Sequence, residues 1–227
     1  MSLLIADRLC RVVSPTLAIT DISLHLEPGE ILALIGPPGA GKSAVLDMIG
    51  GQTHPDRGRI RLGSDDIGRA DPRTISRLGV GRTFQQPATF GSMTVRENVQ
   101  IVMLSARDQL ARWWRPARGY HRSRADLLLH RVGLLDHADR VATALPPGHL
   151  RRLDLALALA HRPRLLLLDE PTAGLPPADA RQLKSVIHDL AIRDGCAILW
   201  AETDIDAVLG IADRILTLGL PLQASND

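Results

Sequence analysis

The chain has 227 residues, and its 27 lysines and arginines nearly balance its 25 aspartates and glutamates, which leaves a formal net charge of +2. This balance argues against a protein with a basic, polyanion-binding tail. The hydrophobic content of 45% is enough for a packed core and excludes a disordered chain. No run approaches 18 consecutive apolar residues, and Asp7, Arg8 and Arg11 stand where a signal peptide needs its apolar stretch. We therefore expect a cytoplasmic protein, for which any link to a membrane must come through a partner.

Lysine and glutamate are scarce in this chain. The 27 basic residues include only two lysines, Lys42 and Lys184, and the 25 acidic residues include only five glutamates. A bias this uniform is typical of codon usage in a GC-rich genome. A position that still holds lysine or glutamate is therefore a candidate for chemistry that arginine or aspartate does not supply.

The first predicted element is a buried strand at residues 31–35, which runs directly into a glycine-rich turn and then a predicted helix at residues 43–49. Glycine, any four residues, glycine, lysine and serine in this context form a phosphate loop. Its amides and the helix N-terminus would wrap a polyphosphate, Lys42 would reach the β and γ phosphates, and the Ser43 hydroxyl would ligate Mg²⁺. The loop reads Gly36-Pro37-Pro38-Gly39-Ala40-Gly41-Lys42-Ser43.

The middle of the chain, residues 86–160, has helical patterning and no convincing strand. We predict a helical insertion that contains helices at residues 125–135 and 150–161, with Leu128, Val132 and Leu135 on one buried face of the first. Before it, arginines alternate with apolar residues, a pattern that predicts the solvated face of an edge strand. These arginines are Arg57, Arg59 and Arg61.

The segment 107–131 carries seven arginines against two aspartates and holds Trp113, Trp114 and Tyr120. It is interpreted as a solvated amphipathic insert whose tryptophans pack locally. Contact with lipid headgroups or with nucleic acid remains the alternative for this composition.

A second buried strand, at residues 165–168, ends in two carboxylates. Asp169 would complete the shell of a magnesium ion, and Glu170 would polarise an attacking water as general base. A helix at residues 178–190 and a strand at residues 197–201 follow. Alternation of strands and helices predicts an α/β sheet with helices on its faces.

These residues resemble the ATP-binding subunits of ABC transporters over nearly the whole chain. Asp169-Glu170-Pro171-Thr172-Ala173-Gly174-Leu175 resembles the family's second nucleotide motif, and Arg82-Thr83-Phe84-Gln85 resembles its Gln loop. Within the family, the insert is most similar to that of branched-chain amino acid importers, with urea importers second. Leu145, Gly148 and residues 151–153 favour the amino acid group, whereas residues 86–90 favour the urea group, so the substrate stays open.

The resemblance implies one domain with a P-loop NTPase fold: a parallel central sheet, an N-terminal antiparallel β region and a helical subdomain. The nucleotide-binding core would span residues 1–85 and 161–227, and the helical subdomain with its signature loop would span residues 86–160. Gln85 would join Ser43 and Asp169 as a magnesium ligand and report the γ-phosphate to the insert.

The resemblance also implies the partners. Two ATP-binding subunits would form a head-to-tail dimer, in which the signature loop of one subunit, through Gly148, contacts the ATP on the phosphate loop of the other. The dimer would lie on the inner face of the cell membrane against transmembrane permease subunits, with a periplasmic or extracellular binding protein linked indirectly. Nucleic acid is not expected as a partner.

Several positions depart from the family pattern. The signature, usually Leu-Ser-Gly-Gly-Gln, reads Leu-Pro-Pro-Gly-His at residues 145–149, and Pro146 and Pro147 lack backbone N–H donors. Residues 11–14 offer no aromatic side chain to stack on adenine. In the phosphate loop, Pro38 replaces a usual Asn, and Ala44 replaces a usual second hydroxyl.

The largest departure is Thr203, which stands where the family has a histidine that contacts the γ-phosphate. A threonine hydroxyl donates one hydrogen bond but carries no positive charge. Three hypotheses follow: a hydrolysing transporter subunit, working beside a more intact paralogue; a subunit that binds ATP but scarcely cleaves it; and a non-transport ABC protein that contacts nucleic acid through residues 107–131.

Overall fold

The computed structural model describes residues 2–105 and 121–219. Its centre is a parallel sheet of strands in the order β6-β7-β8-β3-β9. The strands are β3 (Ile31–Ile35), β6 (Val80–Arg82), β7 (Leu165–Asp169), β8 (Ala197–Glu202) and β9 (Arg214–Thr217). Every residue of β3, β7 and β8 is buried, which confirms the three predicted strands and explains why their sequences are continuously apolar. The carboxyl ends of these parallel strands meet at one edge.

An antiparallel sheet packs beside the parallel one. It contains β1 (Leu4–Ser14), β2 (Leu17–Leu26), β4 (Arg57–Leu62) and β5 (Asp65–Asp66), in the order β2-β1-β4-β5. The three arginines of β4 are exposed, and Ile60 and Leu62 are buried, as the alternation predicts. The prediction of an edge strand was wrong, because β4 pairs with β1 on one side and with the short β5 on the other.

Helix α1 (Lys42–Ile49) lies in the hydrophobic core between the two sheets. Its Val45, Leu46 and Ile49 are fully buried in one cluster with apolar residues of β1, β3 and β8. Because the helix is buried on this face, its first turn and the loop before it are held rigidly at the carboxyl edge of the parallel sheet.

The remaining helices are α2 (Pro72–Arg77), α3 (Val95–Ser105), α4 (Arg122–Arg131), α5 (Pro147–Leu159) and α6 (Pro177–Asp194). Within 86–105 and 121–160 the structure contains helices, short 3₁₀ turns and a single bridge between Thr94 and Val141, but no extended strand. Most of the segment 107–131 lies outside the described residues, so its interpretation stays a prediction. In the described part of the chain, no helix combines the length and hydropathy needed to cross a bilayer.

Two predicted helices differ from the structure. α4 ends at Arg131 because Gly133 turns the chain with a φ of +69°. The buried face is therefore Ala125, Leu129 and Val132, whereas Leu135, predicted on that face, is exposed in a 3₁₀ turn. α5 begins at Pro147 rather than at residue 150, since proline fits the first helical position, where no N–H bond is required.

Candidate active site

The phosphate loop connects β3 to α1 and needs its glycines. Gly39 and Gly41 have φ values of +82° and +90°, a region that other residues adopt only at a cost. A Cβ on Gly36 would lie 2.7 Å from the Leu218 carbonyl oxygen, and one on Gly41 would clash with Ile19. The loop and the first turn of α1 line a cavity of ≈ 410 Å³. The cavity lining also includes Val13, Leu17, Pro38, Lys42, Ser43, Ala44, Asp47, Gln85, Glu170 and Thr203.

A connected polar network crosses this cavity. Lys42 is only 5% exposed, and its Nζ donates to the carbonyl oxygen of Gly36 at 2.7 Å and to Thr203 Oγ1 at 3.0 Å. Thr203 in turn donates to Glu170 Oε1 at 2.6 Å, and Lys42 Nζ lies 3.6 Å from the same oxygen. The first residue of α1 and the residue that follows β8 therefore meet around the carboxylate that follows β7.

The proposed magnesium ligands, Ser43, Asp169 and Gln85, lie next to this network. Ser43 donates to Asp169 Oδ1 at 3.2 Å, and Gln85 lines the same cavity. Burial raises the pKa of the Asp169 carboxyl, while the bond from Ser43 and the charge of Arg82 oppose that shift. Hydroxyl, carboxylate and amide oxygens are hard ligands that fit Mg²⁺, which is normally held by few protein groups together with phosphate oxygens and water.

Two predicted parts of the site, residues 11–14 and Gly148, do not join the polar network in the cavity. Residues 11–14, which offer no aromatic side chain to stack on adenine, contribute Val13 to the lining of the cavity. Together with Leu17, Val13 forms an aliphatic wall there. Gly148 lies in the first turn of α5 and is not among the described residues that line this cavity. A Cβ at Gly148 would lie 2.6 Å from Asp179 Oδ2, and Arg152 holds that residue by an ion pair of 3.0 Å.

Two buried carboxylates were not predicted from the sequence. Glu202, at the end of β8, is 4% exposed and accepts a bond from Trp200 Nε1 at 3.0 Å; burial raises its pKa to about 7. Asp154, on α5, is 3% exposed, and burial raises its pKa to about 6. The scarcity of glutamate was a signal for Glu202, whereas no sequence pattern distinguishes Asp154.

Comparison with known proteins agrees with this geometry. The chain matches the ABC transporter family model over residues 19–173. It is 38% identical over 218 residues to the high-affinity branched-chain amino acid transport ATP-binding protein LivG of Escherichia coli K12, covering 91% of this chain and 84% of that protein. It is 31% identical to the lipopolysaccharide export system ATP-binding protein LptB of Haemophilus influenzae, covering 100% and 94%.

A solved structure of a nucleotide-free ATP-binding cassette from an ABC transporter superposes with a TM-score of 0.85 at 26% identity, covering 97% of this chain and 88% of that one. The predicted P-loop NTPase fold, with its parallel and antiparallel sheets and its helices, is confirmed. The chain belongs to the ABC transporter family, as an ATP-binding subunit close to those of branched-chain amino acid transporters.

Proposed function

We propose that this subunit binds ATP with Mg²⁺ and hydrolyses it to energise an importer, with branched-chain amino acids as the substrate class and urea or a related amide as the alternative. The observation that carries the proposal is the network in which Lys42, Thr203 and Glu170 meet within hydrogen-bonding or ion-pair distance inside the phosphate-loop cavity. The identity to branched-chain amino acid transport proteins supports the substrate class.

The roles of the residues follow from their positions. The loop from Gly36 to Ala44 wraps the phosphates, and Lys42 exchanges its loop carbonyl partners for the β and γ phosphate oxygens. Ser43, Asp169 and Gln85 hold the magnesium ion, which when bound shields phosphate charge. Glu170 accepts a proton from the attacking water.

Thr203 sets the expected rate of hydrolysis. Its hydroxyl already donates to Glu170 Oε1 at 2.6 Å, so it orients the general base rather than donating to the γ-phosphate. Loss of one preorganised donor to a transition state costs about a hundredfold to a thousandfold in rate. We therefore propose slow hydrolysis by this chain, supported in the cell by a more intact paralogous subunit.

The remaining parts serve assembly. Residues 1–85 and 161–227 form the nucleotide-binding core, and residues 86–160 form the helical subdomain that contacts transmembrane permease subunits on the inner face of the membrane. In a dimer, the loop at Gly148 reaches the ATP bound by the second ATP-binding subunit. A periplasmic or extracellular binding protein delivers the substrate.

A second function, ATP binding without effective cleavage, is favoured by one observation. Pro146 caps α5 and Pro147 is its first residue, so the signature loop offers neither a hydroxyl nor an N–H at these two positions. The hypothesis of nucleic-acid binding depends on a segment that lies largely outside the described residues, and it stays a prediction.

Phosphate release separates the two functions. The chain is assayed alone and mixed with its paralogue, as wild type and as Thr203→His, with the exposed Thr217→His as the matched control. Slow release that rises at least tenfold in Thr203→His supports hydrolysis by this chain. If ATP binds but neither the mixture nor the Thr203→His variant releases phosphate, the subunit is a nucleotide-binding regulator.

Uptake of labelled leucine and of labelled urea, in cells with and without the gene, then identifies the substrate class.

A further inference from the structure

Two side chains of α5 bind the backbone carbonyl and the backbone amide of one residue in the Gln loop, Phe84. Arg151 Nη1 donates to the Phe84 carbonyl oxygen at 2.9 Å, and the Phe84 amide donates to Asp154 Oδ2 at 3.1 Å. The second carboxylate oxygen of Asp154 accepts from the Ala88 amide at 3.2 Å. We call these three bonds, made by Arg151 and Asp154, the Phe84 clamp.

The chemistry of Asp154 indicates a purpose beyond packing. Its carboxylate is almost fully buried, and an ionised group in such a place is costly unless it is well bonded. Two amide donors and the nearby charge of Arg151 offset part of that cost. An apolar side chain could fill the same space, but it could not accept from the amides at residues 84 and 88 at once.

The clamp joins two parts of the nucleotide machinery. Gln85 directly follows Phe84 and lines the ATP cavity. α5 begins at Pro147 and carries Gly148 in its first turn, about 9 Å along the helix axis from Asp154 at 1.5 Å per residue. The Gln loop of one ATP site and the signature loop intended for the other are therefore attached to one rigid helix.

We propose that Arg151 and Asp154 are positioning residues, which tie Gln85 to α5 so that the magnesium contact at one ATP site moves together with the signature loop. The proposal rests on the proposed function, because it takes Gln85 as a magnesium ligand. Without the clamp, Gln85 still lies near the cavity but is no longer held in place, so the gain in ATP affinity that Mg²⁺ provides is reduced.

Binding of a fluorescent ribose-labelled ATP analogue tests this directly. Its affinity is measured with Mg²⁺ and in excess chelator, for wild type, Asp154→Asn, Gln85→Ala and the double variant. Asp189→Asn on α6 is the matched control, because its carboxylate forms a partly exposed ion pair with Arg193, one turn further along the same helix. Thermal unfolding of each variant is recorded alongside.

The clamp predicts that Asp154→Asn lowers the magnesium-dependent gain about tenfold, on the scale of a lost hydrogen bond to a charged group, and leaves affinity in chelator unchanged. It also predicts that the double variant is no worse than Gln85→Ala, because both changes remove the same contact. A purely structural role would lower affinity in both conditions and would add to the Gln85→Ala effect.

The experiment distinguishes a failure of the clamp proposal from a failure of the proposed function. If wild type gains no affinity from Mg²⁺, or if Gln85→Ala keeps the full gain, the magnesium role in the proposed function is wrong, and the clamp with it. If those two behave as expected but Asp154→Asn keeps the gain, the clamp alone is overturned. Should Asp154→Asn fail to fold, Arg151→Ala decides, since it removes the bond to the Phe84 carbonyl and the charge near Asp154 but leaves the two amide bonds of Asp154 in place.

Discussion

Replacing Glu202 by glutamine should raise the free energy of unfolding above that of wild type, and this difference should grow as the pH rises. Burial raises the pKa of the Glu202 carboxyl from 4.5 to about 7, and the charge of Glu170 adds to the shift, whereas the Trp200 bond and Lys42 oppose it. A carboxyl with a raised pKa in the folded state favours folding while it is protonated, and this contribution is lost as the pH rises through 7. Glutamine keeps an acceptor for Trp200 and does not ionise.

The size of the effect follows from the pKa difference. Linkage between proton binding and folding lowers the free energy of unfolding of the wild type, compared with a protein that has a neutral side chain at position 202. The difference is about 1 kcal/mol at pH 5 and about 3 kcal/mol at pH 8.5. The free energy of unfolding is measured by urea titration across this range, with the m-value checked for each variant. Tryptophan fluorescence, compared between wild type and Glu202→Gln, reports the ionisation beside Trp200.

Glu27→Gln is the matched control. The pKa of Glu27 is lowered, first by its hydrogen bond with Ser2, so its carboxylate is ionised in the folded and unfolded states throughout the range. Its difference from wild type should stay constant above pH 5. If the difference for Glu202→Gln is equally constant, Glu202 is an ordinary ionised carboxylate and the reasoning about its burial is refuted.

Two further substitutions have definite outcomes. Gly41→Ala places a Cβ at a φ of +90° against Ile19, so it should destabilise the fold by about 2 kcal/mol and abolish binding of the ATP analogue; binding at wild-type affinity would contradict the described loop. His149→Gln should make stability less dependent on pH below 6.5: burial and the charge of His137 lower the pKa of His149, so the wild type loses stability as the pH falls. Equal urea midpoint shifts of the two proteins between pH 7.5 and 5.5 would contradict this.

The chemistry at the strand ends could be predicted because short, continuous sequence motifs encode it. A buried strand followed by glycines and Lys42, or by Asp169 and Glu170, needs no tertiary information to be recognised. Parallel strands then bring these groups to one edge, where the structure places Lys42 3.6 Å from Glu170. Thr203 joined them in the prediction only through the family resemblance, and its bond to Glu170 is visible only in the structure.

The features of the fold and of the site that could not be predicted depend on contacts between residues that are distant in the sequence. The predicted face of α4 continued through Leu135, because periodicity alone does not reveal that the chain turns at Gly133. Asp154 sits on an apolar helix whose sequence gives no reason for a carboxylate. Its partners, Phe84 and Ala88, are 70 and 66 positions away, and only folding brings their amides to it.

We propose that Glu170 is the general base of a working ATP site. Phosphate release from Mg-ATP is the most direct measurement, made on the chain mixed with its paralogue, with wild type compared with Glu170→Gln under conditions where both are saturated. We predict that both proteins bind ATP with similar affinity and that phosphate release by this subunit falls at least a hundredfold in the variant, the scale of a lost general base. Equal release by the two proteins would contradict it.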